Sequence, residues 1–77
     1  MSNEQNETLL SGYRFQLARI AQQADARAVR EQQIFVQGYI LGIHQAGVIN
    51  LDEMERYEQA LGGAVDARLA ALADPSN

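Results

Sequence analysis

The chain has 77 residues, a formal net charge of −4, one histidine, one proline and no cysteine or lysine. That is room for one small domain, and hydrophobic residues at 47% of the chain give it a core to bury. Without cysteine there are no disulfides or thiolate metal sites, and one histidine falls short of the ligand set of a zinc site, so metal and cofactor are not expected.

The charge is unevenly spread. Residues 1–49 balance Arg14, Arg19, Arg27 and Arg30 against Glu4, Glu7, Asp25 and Glu31. Residues 50–77 set Arg56 and Arg68 against Asp52, Glu53, Glu55, Glu58, Asp66 and Asp74. An acidic chain lacks the basic footprint of a nucleic-acid binder, so no nucleic acid is expected as partner. The first residues are polar and acidic, with no apolar run of a signal peptide, and Gln37, His44 and Gln45 interrupt the most apolar stretch, Ile34 to Ile49. The expectation is a soluble protein of the bacterial cytoplasm, in a host cell, with no membrane as partner.

Taken in order, residues 1–7 read as a frayed end of one domain spanning 1–77. From Thr8 to Ala46 most residues are good helix formers. Leu10, Leu17, Ala21, Ala24, Ala28, Phe35 and Tyr39 fall within about 60° of one another at 100° per residue. Gln16, Arg19, Gln23, Arg27, Arg30 and Gln37 line the opposite side. A shared phase predicts one long helix of about 38 residues, near 57 Å; a break near Asp25, giving a three-helix bundle, is the alternative.

Gly47 closes this helix in the left-handed conformation. Asn50 caps the next one, with Glu53 completing a capping box and Ile49 and Met54 spaced as a hydrophobic staple. The second helix runs from Leu51, with Tyr57, Leu61, Val65, Leu69 and Leu72 on one face. Gly62 and Gly63 are candidate points for a kink or a split, and Asp74-Pro75 is expected to end it, with 74–77 frayed.

The predicted class is therefore all-α, a helical hairpin whose first helix outruns the second. Leu9, Leu10, Tyr13, Phe15, Leu17 and Ile20 would lack cover in a single copy, and the runs Ile34-Phe35-Val36 and Tyr39-Ile40-Leu41 are apolar nearly all round. A second copy is the expected cover, giving a homodimeric bundle with Leu10, Tyr13, Leu17, Ala21, Ala24, Ala28, Phe35 and Tyr39 at the interface.

Chemistry is thinly supplied. His44 is the group best placed to move protons near neutral pH, but it sits at the hairpin turn with no nucleophile nearby, where a capping role suffices; no catalytic residues are assigned and an enzyme is not expected. Gly38 and Gly42 have the small-xxx-small spacing of close helix packing. A helix-turn-helix about Gly47 would present an acidic helix to DNA phosphates, which repel it. Gln16, Arg19, Gln23, Arg27 and Arg30 form the candidate partner surface, since guanidinium forks grip carboxylate or phosphate. The same arginines, with Tyr13 stacking a base, suggest a nucleotide-signal-binding oligomer as an alternative, and a structural subunit of a larger assembly is a third reading.

The run Gln37-Gly38-Tyr39-Ile40-Leu41-Gly42-Ile43-His44-Gln45-Ala46-Gly47-Val48-Ile49, followed by Asp52-Glu53 and Tyr57, resembles small helical proteins of bacteriophages and mobile elements, over about a third of the chain. Many of these bind host proteins early in infection, among them inhibitors of CRISPR systems, quorum-sensing regulators and pilus motors. The resemblance implies a binder of a host bacterial protein; with the lack of catalytic groups and the expected self-pairing, the reading is a non-enzymatic inhibitor whose partners are itself and that host protein. The resemblance carries no functional residue onto this chain.

Overall fold

A computed structural model describes residues 3–74. They form α1 (Asn3–Ala18), a 3-10 segment (Arg19–Gln22), α2 (Ala26–Gln45) and α3 (Leu51–Ala73), with no strand among the described residues. Residues 3–7, expected to fray, already belong to α1; the Thr8 hydroxyl donates to the Glu4 carbonyl at 2.9 Å within that first stretch.

The long first helix does not form, and the chain is a three-helix bundle. Gln23 is extended (φ −72°, ψ 138°) and so is Asp25 (φ −149°, ψ 171°), whose carboxylate accepts the Ala28 N–H at 2.8 Å and opens α2. The break keeps its polar groups bonded: the Gln23 side-chain amide donates to the Arg19 carbonyl at 2.8 Å, and Arg68 Nε reaches across from α3 to the Gln23 carbonyl at 2.9 Å. Each helix hydrogen bond given up is worth about 1 kcal/mol net. Each large apolar side chain covered contributes about 1.5–3 kcal/mol. Folding back buries Tyr13 and Ile20 and half-buries Leu9, Leu10 and Leu17, side chains that a straight rod leaves to water, so burial outweighs continuity.

Side-chain bonds set the register. Tyr39 Oη donates to the Leu9 carbonyl at 2.8 Å, and the Gln32 amide donates to the Gln16 carbonyl at 2.8 Å, so α1 and α2 run antiparallel. Gly12 makes the first of these possible, because a Cβ there would land on the Tyr39 hydroxyl. Tyr13 stacks on Tyr57, with centroids 4.3 Å apart and planes 6° from parallel, and Gln23 meets Arg68; α1 and α3 therefore run parallel. The result is an up-down-up bundle measuring 49 × 20 × 16 Å.

The second turn matches expectation. Gly47 has φ +81°. Val48 N–H donates to the Ile43 carbonyl at 2.9 Å and Gly47 N–H to the His44 carbonyl at 3.0 Å, the bond pair of a Schellman closure. Asn50 and Glu53 form the reciprocal capping box at 2.8 and 2.9 Å. Ile49 is buried, and Met54 packs against the same core. Gly62 and Gly63 do not split α3, which is continuous from Leu51 to Ala73.

The core is small. Val29, Val36, Ile40 and Ile43 from α2 meet Leu61 and Val65 from α3, with Tyr13, Ile20 and Ile49 closing it. Phe15, Ile34, Phe35, Leu41 and Leu51 stay exposed. No described helix is long and apolar enough to cross a membrane.

Candidate functional site

The break near Asp25 takes apart both surfaces that a continuous helix would have carried. Of the predicted partner stripe, Gln16 and Arg19 remain on the first rod, Gln23 lies in the turn, and Arg27 and Arg30 start α2. Four of the five side chains are engaged locally. Gln16 Oε1 accepts from Gln32 at 3.1 Å, Gln23 caps the Arg19 carbonyl, Arg27 pairs with Glu31 at 3.5 Å, and Arg30 donates to Gln33 at 3.1 Å. The Arg27–Glu31 pair is solvent-exposed on both sides, so it contributes little to stability.

The predicted dimer stripe is divided in the same way. Tyr13 is 5% exposed and packed on Tyr57 within its own chain, which also leaves its ring no face for a nucleotide base. Leu10, Leu17 and Tyr39 are half-buried against the chain's own core. Ala28 is half-buried, Ala24 lies exposed in the turn, Ala21 faces a surface groove, and Phe35 alone of the set stands on the outer side of α2.

His44 bonds across the turn. Its Nδ1 lies 3.2 Å from the Ile49 carbonyl, part-buried at the turn. A carbonyl only accepts, so that nitrogen carries the proton of this bond. No three His, Asp or Glu side chains gather to hold a metal among the described residues.

Two surfaces stand out among the described residues. The first is the outer face of α2. Val36, Ile40 and Ile43 point inward. Ile34, Gly38, Leu41 and Gln45, at steps of four, three and four, therefore point outward, with Phe35 and Gly42 beside them. Ile34 is 68% exposed, Phe35 53% and Leu41 49%. Nothing lies within 4 Å of where a side chain on Gly38 or Gly42 would begin. In the α1–α2 register Phe15, 62% exposed, is level with residue 33 of α2. The sequence flagged these apolar runs and the glycine spacing, but not which side stays bare.

The second surface is a groove of about 440 Å³ along the seam between α1 and α3, away from the bare face of α2. Leu17, Ala18 and Ala21 form one wall and Ala64, Ala67 and Ala71 the other, with Arg14 and Arg68 at the rim. No acidic residue lines it among the described residues. Sequence reasoning missed this groove. The alanine spacing on each strip was visible, but their juxtaposition requires a parallel α1 and α3, which only the break allows.

Scans against family models, curated proteins and solved structures each return no match for this chain.

Proposed function

We propose that this chain is a non-enzymatic protein-binding module that works as a homodimer paired through the outer face of α2. The observation that carries the reading is the exposed run of Ile34, Phe35 and Leu41 around two bare glycines. Apolar side chains massed on one face mark an interaction surface rather than scattered surface hydrophobics. Small residues let two helix backbones approach closely, which improves packing along the whole contact.

A second copy fits this face. In a two-fold antiparallel crossing centred beside Gly38, Ile34 of one protomer falls beside Leu41 of the other, so one stripe serves both partners. The broad side of the bundle, 49 × 20 Å, is large enough for the roughly 800 Å² per partner of a standard interface. Sedimentation tests this. The expected result is a dimer at micromolar concentration, converted to a helical monomer by Leu41→Glu or Ile34→Glu. A wild-type chain that sediments as a monomer across that range overturns it.

The likeness of residues 37–57 to phage and mobile-element proteins extends the reading to a target. The dimer binds a host bacterial protein and blocks it by steric cover. Affinity purification from bacterial lysate with quantitative mass spectrometry is the test: specific enrichment of one protein, whose activity then falls on adding the purified dimer, is expected. Recovery of no enriched protein overturns the inhibitor reading and leaves the dimer to its own test.

A further inference from the structure

We infer that the α1–α3 groove is the target-binding site and that it takes an acidic amphipathic helix of the partner protein. This rests on the protein-binding reading above and names the surface and the chemistry of the target.

Three observations converge on that occupant. The walls of the groove are alanines and Leu17, so a docked helix can approach the α1 and α3 backbones closely. It would sit opposite α2 and complete a four-helix bundle. Second, in a chain with ten acids and six arginines, the described residues that line the groove include two arginines and no acid. Among the described residues Arg14 donates to the Ser11 hydroxyl, at 3.4 Å, and Arg68 donates its Nε hydrogen to the Gln23 carbonyl; neither meets a carboxylate there. Their charges select for an acidic partner. Third, the spacing suits a helix. In the register given by Tyr13–Tyr57 and Gln23–Arg68, Arg14 is level with residue 58 of α3. Arg14 and Arg68 therefore stand about ten residues, or roughly 15 Å, apart along the groove. A helix of three turns with a small apolar stripe and a carboxylate near each end meets both guanidinium groups and the floor between them.

The probe is a fluorescein-labelled synthetic peptide, helical by design, with Ala and Leu on one face and two glutamates three turns apart. Its binding to the full chain is read by anisotropy. Saturable binding that weakens with added salt is expected. Arg14→Glu or Ala67→Glu should weaken it at least about tenfold with the circular dichroism unchanged. A peptide with lysine in place of both glutamates should bind the Arg14→Glu/Arg68→Glu protein better than the wild type. That charge exchange separates recognition from any loss of fold at Arg68.

Absence of binding overturns the inference, as does binding indifferent to Arg14→Glu and Ala67→Glu. A long-chain carboxylate such as palmitate that displaces the peptide and binds more tightly through Arg14 would make the groove a lipid site instead. A change in sedimentation on Ala67→Glu would assign the groove to a second copy. Leu41→Glu reports on the α2 dimer alone, so the two readings fail separately.

Discussion

Tyr13 is where residue-level chemistry is most exacting. Its ring lies flat on Tyr57 and its hydroxyl reaches the Tyr57 carbonyl at a long 3.4 Å. Burial pushes the phenol above the ordinary tyrosine value of 10.0, with the Tyr57 charge adding to it. The folded protein thus holds this proton more tightly than the unfolded chain. The resulting stability is fully present below pH 10 and is lost as pH rises from there through the raised value. Denaturation midpoints measured across the alkaline range should fall above pH 10, and Tyr13→Phe should fall less steeply. At neutral pH the same substitution should cost no more than about 1 kcal/mol, since it removes only a marginal hydrogen bond. Glycines supply a second residue-scale contrast. At Gly63 a new Cβ meets nothing within 4 Å, so Gly63→Ala should stabilise by about 1 kcal/mol through helix propensity alone. Gly12→Ala makes the same gain but displaces the Tyr39 hydroxyl from the Leu9 carbonyl, a loss of about 1 kcal/mol. Urea denaturation should find the first variant clearly above wild type and the second close to it.

The helices owe their ends to a few side chains, and these differ in how plainly they can be read. Gly47 and the Asn50–Glu53 box announce the second turn, because each residue type is tied to its role by backbone geometry: a left-handed φ for the glycine, reciprocal side-chain bonds for the cap. Asp25 caps α2 by the same chemistry, yet its signal is half as strong, since the third helical position is Ala28 and no glycine or proline precedes it. Hydrophobic phase ran through Asp25 unbroken, and phase cannot distinguish a straight rod from two rods folded at a joint. Asp25→Ala and Asn50→Ala should each cost about 1 kcal/mol in chemical denaturation. Gly47→Ala should cost about as much again, from forcing a Cβ into the left-handed region. If Asp25→Ala instead raised helix content and stability, the joint would be a weaker device than its hydrogen bonds indicate.

Across the whole molecule, the single joint at residues 23–25 redistributes every surface. It brings α1 beside α3, lets Tyr13 and Ile20 enter the core, and creates the alanine groove between two segments 40 or more residues apart in the chain. It also leaves α2 covered on one side only, so the apolar run Ile34–Leu41 is half used. Patterning sufficed for the all-helical class, the Gly47 turn, the caps of α3 and the inward face Tyr57–Leu72, because propensity, capping and periodicity are local properties written within one or two turns of chain. The joint, the dispersal of the arginine–glutamine stripe, the burial of Tyr13 and the existence of the groove belong to packing. They follow from which arrangement removes the most apolar area from water for the fewest hydrogen bonds surrendered, and that comparison can be made only between whole folded chains.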